Sequence, residues 1–211
     1  MGELSEYKPF KMLAPSAYLE KEEVWRIINA IPQASKHPER DMLILRTMWE
    51  TGGRVTEVIQ LQADQIVEES CSMFLVNLKR QKKVYKEPYV SPSLVSALLN
   101  YCKVNRIKGG EYVFKGNRNP NTYVNRCHVW RVMNKAAIIS GVSKSKPIKG
   151  RTSPAWPHLL RHGCAMHILD RTGSTEKAQR QLGHSSIVTT QVYATLKLRQ
   201  EDREISNLDW E

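Results

Sequence analysis

Apolar residues recur three and four positions apart through Val24, Trp25, Ile27, Ile28 and Ile31. That spacing places them on one face of a helix over residues 21–31. Pro32 lacks the N–H that a further turn would need, which predicts the end of the helix there. Pro38, a good first-turn residue, opens a second helix through Leu43, Leu45, Met48 and Trp49. Gly52-Gly53 ends it, because glycine adopts left-handed backbone at little cost. RVTEVIQL reads as a short helix. SMFLVNLK and KVYKEPYV then flank a polar turn and predict a hairpin. Ser91 and Pro92 cap and start a helix over 92–106. After Gly109-Gly110 the pattern predicts a short strand at 112–114 and a helix over 121–140 that stops at Gly141. Helical pieces follow at 158–172, 176–182 and 186–194, with Gly173 and Gly183 as hinges, and the tail from Thr195 is helical and acidic at its end. The sum is an α+β chain, mostly α, with one small antiparallel sheet and no alternating βαβ pattern.

Composition adds a direction. With 211 residues and 41% apolar content the chain can bury the core of one generous domain or two small ones. No run of about 18 apolar residues exists, which excludes a spanning helix, and the N-terminus carries no secretory pattern. Lys and Arg number 32 against 21 Asp and Glu, a net charge of +11. Such a surplus favours polyanions, nucleic acid before membrane. Cys71, Cys102, Cys127 and Cys164 form no CxxC pair or metal-finger spacing. They read as reduced, mostly buried thiols of an intracellular protein. The stretch 142–157 gathers Lys144, Lys146, Lys149 and Arg151 among Ser, Gly and Pro, a flexible basic loop suited to phosphates.

Five short elements could carry chemistry. In His158-Leu159-Leu160-Arg161-His162 the polar residues lie three and four apart and share a helix face, although helix-end histidines often only cap or pack. Leu182-Gly183-His184-Ser185-Ser186 ends one helix and caps the next, which puts His184 at a junction. Tyr193 follows on the next helical piece, where a lone tyrosine is ordinarily a core or rim residue. Arg54, after two glycines, can project toward an anion or pair with Glu57. Lys79-Arg80-Gln81-Lys82-Lys83 sits at the hairpin turn, where a charge run is most often a solvated tip.

In this order, TGGRVTEV, the hairpin lysines, PHLLRH and LGHSSIVTTQVY resemble the catalytic domain of the tyrosine recombinases, the phage-integrase group of site-specific DNA recombinases. The resemblance covers about residues 18–200. It implies the DNA breaking-rejoining catalytic fold with a small hairpin sheet. It implies that Arg54, His158, Arg161 and His184 form a phosphate-activating cluster, with Tyr193 as the nucleophile. The hairpin lysine that protonates the leaving oxygen is Lys82 by its closeness to the turn, with Lys79 as the alternative. Glu57 and His162 then support the site. Two arginines suit the chemistry because each can grip phosphate oxygens as a fork, and no metal or cofactor is implied.

The same resemblance implies a partner, double-stranded DNA at attachment or inverted-repeat sites. The expected contacts come from Lys79, Arg80, Lys83, Arg118, Arg126, Arg131, Lys144, Lys146, Lys149 and Arg151. It divides the chain into an arm (1–17), a catalytic domain (18–194) and a tail (195–211) open to exchange between protomers. It implies a short form without the N-terminal core-binding domain, a monomer in solution that becomes a homo-tetramer on DNA, help from DNA-bending proteins, and a cytoplasmic, nucleoid-associated setting in a prokaryotic, viral or plasmid element. A non-catalytic DNA-binding regulator and a type IB topoisomerase are the alternatives.

Overall fold

In a computed structural model of the protein, the structure describes residues 18–77, 84–117, 119–144, 146–148 and 151–183. The expected arm, the hairpin tip with Lys79, Arg80, Lys82 and Lys83, Arg118, Lys149, and everything from His184 onward lie outside the described residues.

The apolar stripes read from the sequence are the faces that pack. Helix α1 (Lys21–Ala34) buries Val24, Ile27, Ile28 and Ile31 and lies against α2 (Pro38–Thr51) and α5 (Arg126–Ile139). Pro32 does not stop α1. It stands in the last turn, where its fixed φ suits the helix, and the Ser35 N–H still reaches Ile31 O at 2.9 Å. Helix α2 buries Leu43, Leu45, Met48 and Trp49 and also packs on α6 (His158–Thr172), which in turn carries α7 (Thr175–Leu182). Leu159 and Leu160 of α6 join the main core, whereas Ala165, Met166 and Leu169 pack with Ala178 and Leu182 of α7. Helix α6 therefore ties α7 to the body of the described chain. Helix α4 (Pro92–Val104) starts as expected, its Ser91 hydroxyl accepting the Leu94 N–H at 3.2 Å.

The β structure differs from the expected single sheet. Among the described residues it is three separate antiparallel pairs: β1 (Ile66–Val67) with β2 (Ser72–Met73), β3 (Leu75–Asn77) with β4 (Val84–Lys86), and β5 (Lys146–Ile148) with β6 (Arg151–Ser153). The run SMFLVNLK breaks at Phe74, whose N–H turns to Gln65 O at 2.9 Å. The last pair replaces the flexible loop expected over 142–157. Ile148 pairs with Arg151, and Lys146 with Ser153. Nor is Lys144 offered to solvent: its ammonium is 2.7 Å from Glu23 of α1.

Three further expectations shift. In place of a strand at 112–114, the chain makes isolated bridges at Tyr112, with Gln62, and at Lys115, with Tyr123. Those bridges hold 121–124 extended, so α5 begins only at Arg126, after Asn125 caps it by accepting the Cys127 N–H at 2.7 Å. Of the four thiols, all free, Cys102 and Cys164 are buried, Cys71 is half-buried and Cys127 is exposed. Burial pushes the Cys164 thiol up to about 12, which keeps it protonated and inert.

A buried polar knot fixes α5 to α2. Asp41 takes His128 Nε2 at 2.8 Å, the Ser35 hydroxyl at 2.5 Å and the Arg40 guanidinium at 2.9 Å. Burial alone would raise the Asp41 carboxyl, yet the bonds from His128 and Ser35 and the Arg40 charge bring it below its ordinary value.

Gly163 marks the tightest approach. A Cβ there would overlap the Leu19 carbonyl oxygen and sit 2.8 Å from the Trp49 ring. Gly163→Ala should therefore destabilise the protein. The helix-propensity gain of about 1 kcal/mol is outweighed by an overpacking cost of about 1–3 kcal/mol against backbone, and the check is a lowered urea midpoint at unchanged m-value.

Candidate active site

The segment Thr51–Glu57 turns sharply because Gly52 closes α2 in left-handed backbone, at φ +57°. A Cβ on Gly52 would overlap Leu182 of α7. The Thr51 hydroxyl donates to Thr47 O at 2.6 Å and accepts the Gly53 N–H at 2.9 Å, which stiffens the turn. Arg54 then caps helix α3 (Val55–Ile59) in extended backbone. Its guanidinium pairs with Glu57 Oε1, and its N–H donates to Glu57 Oε2 at 3.0 Å. So the pairing of Arg54 with Glu57 is present, and it serves to aim the arginine.

Arg161 is 2% exposed, the most deeply placed cation of the described chain. It projects from the first turn of α6, donating through Nη1 to Gly52 O and through Nη2 to Leu182 O at 3.1 Å. One side chain thus joins the Gly-Gly-Arg turn, the helix that bears it and the Leu-Gly end of α7, three segments far apart in sequence. His158 is exposed at the start of α6, and its ring stands edge-on to that of His162 with centroids 4.5 Å apart. His158 and Arg54 line one cleft of about 720 Å³, together with Trp130, Trp156, Arg126 and Arg131. The exposed arginines at the start of α5 form the rim of that cleft.

One residue of this site escaped the sequence reading. Lys86 of β4 is buried, with its ammonium 3.0 Å from Glu57 Oε2 and 3.4 Å from Leu182 O. Strand alternation was the available signal: Tyr85 and Glu87 are exposed, so Lys86 points inward. Burial pushes Lys86 down to about 8, the Arg161 and Arg54 charges acting the same way and Glu57 opposing them. For Glu57 burial would raise the carboxyl, but the Lys86 charge and the Arg54 hydrogen bonds outweigh it, and the group lies below its ordinary value.

The structure therefore brings together Arg54 and Arg161 with the start of α6, where His158 sits, and with Leu182-Gly183, the two residues before His184. It leaves His184, Tyr193, Lys79 and Lys82 outside the described residues. Of the expected DNA contacts, Arg126 and Arg131 are exposed beside the cleft, Lys144 is paired with Glu23, and Lys146 and Arg151 fall on the β5–β6 hairpin.

Comparison with known proteins covers the same stretch of chain. The tyrosine recombinase XerA of Pyrococcus furiosus is 31% identical over 193 residues, which are 90% of this chain and 62% of that relative. This chain thus spans under two thirds of the relative's length. The crystal structure of XerA recombinase superposes with a TM-score of 0.69 at 23% identity, over 92% of this chain and 67% of that one. That of XerH, a site-specific recombinase bound to its difH substrate in a pre-cleavage complex, gives 0.69 at 18% identity over 90% and 53%. The fold is that of the tyrosine-recombinase catalytic domain. The model of the phage integrase family matches residues 17–199, a stretch that contains every turn and helix of the site just described, and to that family the chain belongs.

Proposed function

We propose that this protein is a site-specific DNA recombinase that cuts and rejoins double-stranded DNA through a 3′-phosphotyrosine link at Tyr193, without metal or ATP. The observation that carries the reading is the Arg161 guanidinium bonded to both Gly52 O and Leu182 O. It makes one locus of the TGGR, HxxRH and LGH segments. The family membership and the XerH complex with difH substrate support the same reading.

In this mechanism the Tyr193 phenol oxygen attacks the scissile phosphorus in line, and the bond from phosphorus to the 5′ oxygen breaks. The phenol, with a pKa near 10, loses its proton to His158 during attack. Lys82, or Lys79 in its place, gives a proton to the departing 5′ oxygen. Negative charge gathers on the non-bridging oxygens, where Arg54, Arg161 and His184 stabilise it. Catalysis by positioned charge of this kind is the main resource for phosphoryl transfer. The phosphotyrosine conserves the bond, so a free 5′ hydroxyl can reverse the step. The cleft with Trp130 and its arginine rim faces the duplex, and binding weakens steeply as salt rises.

The test is covalent trapping. Nicked duplexes carrying the attachment site, selected by binding from a random-sequence library, are incubated with the protein and run on a denaturing gel. A denaturation-resistant complex is expected, with the nucleotide mapped by peptide mass to residue 193. No complex with either strand nicked would overturn the reading. Efficient relaxation of any supercoiled plasmid would favour the topoisomerase alternative.

A further inference from the structure

Among the described residues, Glu57 is the lone carboxylate in the ion pairs of the site. It is 1% exposed, with Arg54 on one oxygen and Lys86 on the other. Lys86 also reaches Leu182 O, the carbonyl that Arg161 uses. Its alkyl stem lies against Gly183, where a Cβ would come within 2.7 Å of Lys86 Cδ. The groups facing its ammonium are Glu57 and Arg54 from α3, and Arg161 and Cys164 from α6. A cation this deep, tied to two of the three site segments, is more than hairpin surface.

We infer that Lys86 is a positioning residue for strand cleavage: it neutralises Glu57 and holds the Leu182-Gly183 end of α7, leaving Arg54 and Arg161 their charge for the scissile phosphate. The inference rests on the recombinase reading above. Counted over the described side chains Arg54, Lys86, Arg161 and Glu57, a charged Lys86 makes three cations to one carboxylate, a surplus of two. Without it, Glu57 is balanced by Arg54 alone and the surplus is one. A phosphodiester carries one negative charge and gains more in the five-coordinate transition state, so the second positive charge counts most at the moment of cleavage. Burial pushes Lys86 down to about 8, so this charge is lost within an accessible pH range.

The experiment measures cleavage of the nicked duplex at sub-saturating DNA, where the rate reports groups of the free protein, from pH 6.5 to 9.5, with DNA affinity measured in parallel. Three proteins are compared: wild type, Lys86→Met and Lys86→Arg. Wild type is expected to lose activity above about pH 8 relative to Lys86→Arg, whose guanidinium keeps its charge. Lys86→Met is expected to be slower by about 10–100-fold at pH 7.5, with no step near 8 and with duplex binding retained. Equal rates and profiles for wild type and Lys86→Met would overturn the inference. So would a step near 8 that persists in Lys86→Arg, and this comparison stands even where Lys86→Met fails to fold. A wild type that forms no covalent complex condemns the recombinase reading itself, and the two failures are thereby distinct.

Discussion

Tyr193→Phe should form no denaturation-resistant complex with nicked DNA while binding the duplex as wild type does. The substitution removes one oxygen and keeps the ring, and the atom that would bond to phosphorus is gone. No other group on the chain takes its place in the proposed mechanism. The cleavage rate should fall by at least about 10⁴-fold, to the background of the assay. The paired measurement is the salt dependence of binding, whose slope counts the phosphate contacts and should not move. A complex that survives in Tyr193→Phe places the nucleophile elsewhere.

The second large effect is expected at Arg161, and it should appear in stability as well as rate. In Arg161→Ala the buried Gly52 O loses the Arg161 donor, and Leu182 O keeps only the longer bond from Lys86 at 3.4 Å. An unsatisfied acceptor costs about 1–3 kcal/mol. Part of that is offset because the Arg161 charge opposes the protonated Lys86 nearby, so a net loss of about 1–3 kcal/mol is expected by urea denaturation. Cleavage by the protein that remains folded should drop about 10²–10³-fold, the range for deleting one stabiliser of transition-state charge. Arg161→Lys separates the two roles. It keeps a cation but cannot span both carbonyls as a fork does, so it should recover part of the stability and little of the rate. Equal cleavage by wild type and Arg161→Lys would show that charge alone, without the fork, suffices.

How far the sequence alone reached depended on whether a signal was local. The helix faces of α1 and α2, the Ser91 cap and the glycine stops at Gly52, Gly173 and Gly183 were legible, since each follows from spacing within one or two turns. Pro32 misled because a proline's cost depends on its place in the helix, and the last turn can absorb it. The β structure was legible in part: the hairpin of SMFLVNLK with KVYKEPYV is present as β3 with β4, but strand propensity did not show that Phe74 would break the first run or that the pairs would stay separate. The Asp41–His128 knot and the Lys144–Glu23 pair join segments nearly a hundred residues apart or more, beyond any periodicity. At the site, the motif order carried Arg54, His158 and Arg161. Lys86 was hidden by the basic residues beside it, which drew attention to the turn and away from the strand that buries it.

The closeness of Leu19 to Gly163 has a mechanical meaning. Where the chain passes Leu19, its backbone rests directly on α6, two residues beyond Arg161 and five beyond His158. A force that presses Leu19 toward that helix meets the α6 backbone at Gly163 with no side chain between them. Position 163 is thus the point at which tension from upstream would reach α6, the helix that carries Arg161.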